Sequence, residues 1–334
     1  MTTDNGVLRW GVLGTGGIAN AFLEGLRVVG GARVTAVGSR SEASAARFAD
    51  AWGISNRHVG AEALAADPEV DVVYVATPHP AHHAGTLACL AAGKHVLCEK
   101  PLAMNVREAA EMIEAARANG RFLMEAMWTR FAPASRQISR LLADGAIGEL
   151  RMLTANFGNA VPYDPASRLW APELGGGALL DLGVYPVALA SHFLGELTVV
   201  GVSGRLAPNG VVDAQTTVLV ENRDGVTGLL ACSLDAPLPN RVALIGTRGR
   251  IELERWWCPT DFVLHRDGHE PEAYAFPHRA NGYEHEAEEV ARRIAAGELE
   301  SPLMPWAESL RVTRIMDEVR ERLGVVYPAD TVAA

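Results

Sequence analysis

The sequence predicts an α/β chain, with an N-terminal doubly wound Rossmann domain followed by an α+β domain that contains an open, mainly antiparallel sheet. Three observations carry that prediction. Short β-rich runs alternate with helical runs through the first third, the rhythm of a parallel sheet with crossover helices. A glycine turn, Gly14-Thr15-Gly16-Gly17-Ile18-Ala19, joins the first strand to the first helix in the G-x-G-x-x-A pattern. After about residue 125 the rhythm gives way to long alternating stretches separated by turns such as Arg-Asp-Gly.

Taken in order, residues 7–14 read as a buried strand, 18–29 as a helix, 32–39 as a strand and 41–52 as a helix with Ser41 as its N-cap and Glu42 in its first turn. A continuous apolar strand covers 70–78, a helix 81–92, and a strand 94–99. An amphipathic helix spans 105–120, capped by Asn105 and closed by Gly120, and a last strand covers 121–127. Beyond it come a helix over 131–148, strands over 149–158, 197–206, 214–234, 241–257 and 261–276 with hairpin turns inside the longer runs, an interrupting helix over 178–194, and closing helices over 283–296 and 305–323. The domains are expected at 1–125 and 126–334, with the last helix able to pack back on the first. The uncovered face of the second sheet offers a subunit contact, so a homodimer or higher homo-oligomer is expected.

At 334 residues the chain is long enough for two cores. A net charge of −10 argues against nucleic-acid and anionic-membrane partners, which attract basic surfaces. No apolar run reaches the roughly 18 residues of a membrane span, the longest candidate being broken by Asp181 and Pro186. The N-terminus runs almost directly into the first strand with no basic region or cleavage site, so a cytoplasmic location is expected. The four cysteines, Cys89, Cys98, Cys232 and Cys258, lack metal-type spacing and read as free thiols.

The glycine turn places backbone N–H groups and a helix N-terminus where a dinucleotide pyrophosphate would sit. The next strand ends Gly38-Ser39-Arg40-Ser41, with a guanidinium and hydroxyls where NAD-selective sites place a carboxylate, so NADP is expected over NAD. Of the 30 cationic residues only Lys94 and Lys100 are lysine. Lys94 reads as a surface cation. Lys100, in Glu99-Lys100-Pro101, follows a strand at the carboxyl edge of the sheet, where open α/β folds bind ligands, and a Lys can be tuned to move a proton where an Arg cannot. In Gly175-Gly176-Gly177-Ala178-Leu179-Leu180-Asp181-Leu182-Gly183-Val184-Tyr185-Pro186, Asp181 and Tyr185 stand at i and i+4, on one helix face that could meet a diol. His79, His82 and His83 suggest a metal, but no nearby carboxylate or thiolate completes a site, so no metal is expected. The aromatic clusters around 128–131, Phe157, Trp170 and Trp256-Trp257 are mostly packing residues, with part of them available as an apolar wall for a substrate ring.

With GTGGIA, CEKP and GGGALLDLGVYP in view, the chain resembles the glucose–fructose oxidoreductase / inositol dehydrogenase superfamily over nearly its whole length. EAMWTRFAPA, SRLWAPELGGGALLDLGVYP and WWCPTDFVL are similar to its dimeric dihydrodiol dehydrogenase and NADP-dependent D-xylose dehydrogenase branch. The resemblance implies that Gly14, Thr15, Gly16, Gly17, Ile18, Ser39 and Arg40 hold NADP. It implies that Thr77, His79, His82, Glu99 and Lys100 border the nicotinamide, and that Arg168 contacts cofactor or substrate. It makes Tyr185 the acid/base, Lys100 its catalytic companion and Asp181 a positioning group, with Trp128, Arg130 and Phe157 joining Asp181 and Tyr185 at the substrate. The implied activity is hydride transfer between NADP and a small-molecule aldose or trans-dihydrodiol. A 3-ketoreductase of a deoxysugar or anhydrosugar pathway and a non-catalytic NADP-binding regulator are the alternatives.

Overall fold

The computed structural model describes residues 6–331. They form two compact units. One holds the chain through Ala103, then Arg107–Trp128 and His278–Ser309, and the other holds Met104–Val106, Thr129–Pro277 and the chain from Leu310 on. Apart from Met104–Val106, the chain leaves the first unit after Trp128, and the 278–309 segment groups with the first unit again.

The first unit begins with β1 (Leu8–Leu13), α1 (Gly17–Leu26), β2 (Ala32–Ser39), α2 (Glu42–Trp52), β3 (Asn56–Val59), α3 (Ala61–Ala65), β4 (Val72–Val75) and α4 (His82–Ala91). It continues with β5 (His95–Glu99), α5 (Val106–Asn119) and β6 (Leu123–Ala126). Its sheet runs in the order β3-β2-β1-β4-β5-β6 with every pairing parallel, the doubly wound arrangement. Such strands are covered on both faces and so read as unbroken apolar runs, as the fully buried Val72, Val73, Tyr74 and Val75 of β4 show. Strand β3 and helix α3 were not anticipated. In β3 the sequence Asn-Arg-His-Val has no apolar run, and only parallel pairing with β2 makes it a strand. Ser41 caps α2 by accepting the Ser44 N–H at 3.2 Å, as expected. Gly120 follows α5 at φ 59°, in the left-handed region that closes a helix.

The second unit continues with α6 (Pro133–Ala143), β7 (Leu150–Gly158), a π-helical turn over Leu179–Gly183 leading into α7 (Val184–Leu194), β8 (Leu197–Leu206) and β9 (Asp213–Asn222). Strands β10 (Thr227–Ser233), β11 (Arg241–Gly246), β12 (Gly249–Glu254), β13 (Asp261–Arg266) and β14 (Glu272–Ala275) follow. Two helices close the chain, α8 (Glu284–Ala295) and α9 (Trp306–Leu323). The eight strands lie in the order β14-β13-β12-β11-β7-β10-β9-β8, antiparallel except where β10 meets β7. Tight turns at Gly225 and Gly268, with φ of 78° and 74°, close the two Arg-Asp-Gly hairpins. The helical run Pro172–Leu194 is apolar and long enough to span a membrane, yet 83% of its most apolar 18-residue stretch is buried, in a core helix against β7, β9 and β10.

Candidate functional site

The carboxyl ends of β1, β4 and β5 are neighbours in the sheet, so the segments that follow them share one edge. At Gly14 the backbone bends with φ 113°, and a Cβ there would lie 2.4 Å from the Ala76 carbonyl oxygen, so no other residue fits. A Cβ on Gly16 or Gly17 would meet nothing within 4 Å. These two glycines lie open at the N-terminus of α1, where Gly16 supplies no side-chain cap. Open space over uncapped N–H groups is what a pyrophosphate requires, so these residues fit a dinucleotide. Thr15 and Ile18 flank the turn, both half-buried. Gly14 N–H donates to Gly38 O at 2.9 Å, which fixes the end of β2 beside the turn, and Ser39 and exposed Arg40 follow there.

On the same edge the Thr77 hydroxyl is buried with no partner, a free polar group that a bound ligand could satisfy. His82 is fully buried, with Nδ1 2.9 Å from Pro101 O and Nε2 2.9 Å from Thr77 O. Its ring therefore ties the segment after β4 to the segment after β5 through both nitrogens. Burial pushes its pKa down, against the pull of the two carbonyls, while the nearby Lys100 charge also lowers it. A neutral ring donates only once, so it leaves one of these carbonyls facing a lone pair. His79 packs edge-on against this ring at 5.7 Å and is itself buried. Glu99 accepts the Tyr74 hydroxyl at 2.5 Å and the Lys100 backbone N–H at 3.1 Å. The Lys100–Pro101 peptide is cis, and Leu102 N–H donates to Glu125 at 3.0 Å. The backbone on each side of Lys100 is thus held by a buried carboxylate. Glu286 of α8 is fully buried, and burial with the Glu99 charge beside it pushes its carboxyl well above the usual range.

Lys94 differs from its expected role as a surface cation. Its Nζ donates to Asp67 O at 2.8 Å and to Val70 O at 2.7 Å, closing the turn ahead of β4. The cysteines are free, and Cys98 is fully buried with a raised pKa caused by desolvation, as suits a structural thiol.

In the second unit Asp181 and Tyr185 are both 8% exposed. The segment carrying them is not a plain α-helix, because Leu179–Gly183 form a π turn, a rare element often found at functional sites. Arg168 Nη1 donates to Asp181 Oδ1 at 2.9 Å, so the arginine expected at cofactor or substrate is paired with the carboxylate expected to position the substrate. The Tyr185 ring meets Phe157 edge-on at 5.4 Å and Trp256 at 6.4 Å, and Phe157 stacks on Trp257 at 4.7 Å. Phe157 and the paired tryptophans therefore wall the tyrosine with apolar surface. Arg130 is buried in the second unit, and its charge acts on His192. Trp128 belongs to the first unit and stacks on Tyr283 at 4.3 Å. Tyr74, Glu125, Glu286 and Asp213 were missed from the sequence. Each sits inside or beside an apolar strand or an amphipathic helix, where periodicity assigns only packing.

Among the described residues one group gathers metal-type donors, His278, Glu284 and His285, with ligand atoms within 4.8 Å of one another. Glu284 there accepts the N–H groups of Arg279, Ala280, Asn281 and Gly282. Four donors fill the four lone-pair sites of a carboxylate, so Glu284 anchors the turn into α8. His83 of the histidine-rich segment pairs with Glu111 at 2.7 Å.

Residues 8–127 match the GFO/IDH/MocA model for an oxidoreductase family with an NAD-binding Rossmann fold, and residues 135–252 match the GFO/IDH/MocA C-terminal domain. Trans-1,2-dihydrobenzene-1,2-diol dehydrogenase of Macaca fascicularis is 40% identical, across 97% of this chain and 99% of that one. The human protein of the same name is 38% identical, with coverage of 97% and 99%. Among solved structures, a 3-ketoreductase from Actinomadura kijaniata in complex with NADP and TDP-benzene is 32% identical, with a TM-score of 0.85 over 94% of this chain and 97% of that chain. An aldose-aldose oxidoreductase from Caulobacter crescentus shares the fold at 24% identity, with a TM-score of 0.86 over 95% and 98% of the two chains.

Proposed function

Since the chain belongs to the GFO/IDH/MocA oxidoreductase family, we propose that it transfers a hydride between NADP and a hydroxyl-bearing carbon of an aldose or trans-dihydrodiol. The observation that carries this reading is that the dinucleotide turn, the orphan Thr77 hydroxyl and Lys100 follow three adjacent strands at one sheet edge. Arg40 and Ser39, at the end of β2 where NAD-selective sites place a carboxylate, support NADP over NAD.

Bound NADP supplies the hydride chemistry. Tyr185 takes the proton of the substrate hydroxyl in oxidation and returns it in reduction. Lys100 contributes the positive charge that stabilises the oxyanion as the proton leaves. Asp181, held by Arg168, orients the substrate hydroxyls, and the Phe157, Trp256 and Trp257 wall keeps water from the tyrosine. The relatives named for dihydrodiol oxidation favour the diol, and the ketoreductase neighbour favours a keto-sugar as the second reading. The buried thiols Cys89, Cys98 and Cys232 support a reducing, cytoplasmic compartment.

The test is an absorbance assay with NADP and with NAD over aldoses, trans-dihydrodiols and keto-sugars. NADP-linked turnover of a diol or aldose is expected, with higher kcat/KM for NADP than for NAD. Lys100→Arg and Tyr185→Phe should each lower kcat by about a hundredfold or more, as loss of a positioned acid–base group does. Near-normal turnover in both variants would remove the assigned roles, and no NADP-linked turnover across the panel would leave the regulator reading.

A further inference from the structure

The turn before the π-helical segment is pinned from two sides by groups outside the proposed chemistry. Asp213, the first residue of β9, is 1% exposed. Its Oδ2 accepts the Leu179 N–H at 2.9 Å and the Thr216 hydroxyl at 2.7 Å. Its Oδ1 lies where Gly177 admits no side chain, because a Cβ there would be 2.6 Å away. From the other side the Tyr327 hydroxyl donates to Gly176 O. The Asp181 N–H in turn donates to Gly177 O at 3.3 Å. Leu179 opens the π turn, Asp181 lies within it, and Tyr185 follows in the first turn of α7. The charged and titratable groups near Asp213 are Arg320 on α9, Tyr327 on the C-terminal segment and Cys232 on β10. Arg320, whose charge acts on Asp213, is itself paired with Asp317 and Asp330.

We propose that Asp213 is a positioning residue for the reaction, acting through Leu179 N–H to set the π turn that aims Asp181 and Tyr185. This inference rests on the roles given to those two residues above. The geometry asks for one oxygen that accepts two hydrogen bonds in a buried site. An Asn amide oxygen can supply it, and an Ala methyl cannot.

The experiment uses the full-length protein with NADP and the best substrate of the panel, and compares Asp213→Ala, Asp213→Asn and Thr216→Val. Asp213→Ala lowers kcat about tenfold to a hundredfold, the cost of misplacing a reacting group by roughly an ångström. Its KM for NADP stays within about twofold, and Asp213→Asn recovers most of the lost kcat. In an Asp181→Asn/Tyr185→Phe background Asp213→Ala adds about twofold or less, since neither of the groups it positions is then in place. The proposal is overturned if folded Asp213→Ala turns over at the wild-type rate. It is equally overturned if the loss is as large in the Asp181→Asn/Tyr185→Phe background, or if the KM for NADP rises as far as kcat falls. Should Asp213→Ala fail to fold, Thr216→Val carries the test, since it removes one bond from the same oxygen, and wild-type kcat in that variant counts against the proposal. A wild-type protein inactive on the whole panel sinks the proposed function instead. Amide hydrogen exchange at Leu179 and Asp181 then decides the positioning role, with faster exchange in the Ala variant than in the Asn variant expected.

Discussion

At the residue scale a half-buried histidine and a buried aspartate give the stability opposite dependences on pH. His95 Nδ1 accepts the Phe122 N–H at 2.9 Å, a bond that only the unprotonated nitrogen can make. Burial, with the Arg121 charge, lowers its pKa to about 4. The unfolded chain then takes up a proton below pH ~6.5 that the folded chain refuses, so stability present above that pH is lost as pH falls toward 4. The effect is on the order of 2 kcal/mol once partial exposure of the ring is allowed for. Asp213 works the other way, because desolvation raises its pKa to about 6, and its ionised form costs stability as pH rises from about 4 through 6. Urea unfolding between pH 4 and 7 should separate the two. His95→Gln should lose less stability than wild type on acidification, and Asp213→Asn should lose less than wild type as pH rises. Parallel curves for wild type and His95→Gln would refute the first assignment.

At the element scale the glycine that precedes the π turn has no tolerated replacement. Gly177 sits at φ 117°, and a Cβ there would approach Asp213 Oδ1 to 2.6 Å and Tyr327 OH to 2.9 Å. Gly177→Ala should cost about 2–4 kcal/mol from backbone strain and collision together and lower the melting temperature by several degrees. An unchanged melting temperature would mean that the turn adapts. Much of this architecture is legible in the sequence. The parallel strands show as apolar runs, the dinucleotide turn as spaced glycines, and Ser41 as a cap. Lys100 stood out as one of only two lysines and Tyr185 by its spacing from Asp181. Strand β3 was not legible, because its four residues are strand only by virtue of a neighbour. The π turn was not legible either, because a helical period of 3.6 and one near 4.4 both place Asp181 and Tyr185 on one face. The buried ties at Asp213, Glu125 and Glu286 lie far in sequence from what they hold or face, and no local pattern announces them.

At the scale of the whole molecule the second sheet carries the assembly expectation. Leu229 on β10 is 44% exposed, on the face opposite the buried Gly228, Leu230 and Cys232, and Val200 on β8 is 50% exposed. Our reading is that this face pairs two copies of the chain, so light scattering should give a dimer mass, and Leu229→Asp should shift it toward the monomer. A wild-type monomer at micromolar concentration would exclude it.

The place of β7 in that sheet has a consequence for how the chain is made. This strand sits mid-sheet, and its partners are β10, through pairs such as Met152 with Thr227, and β11, through pairs such as Ala155 with Val242. It is the first strand of its sheet to leave the ribosome, yet neither partner exists until well over half of the chain has been synthesised. The β9–β10 and β11–β12 hairpins can close locally, whereas β7 must wait with both edges unpaired. The period of greatest exposure to wrong pairing in this protein therefore falls during synthesis of residues 159–226.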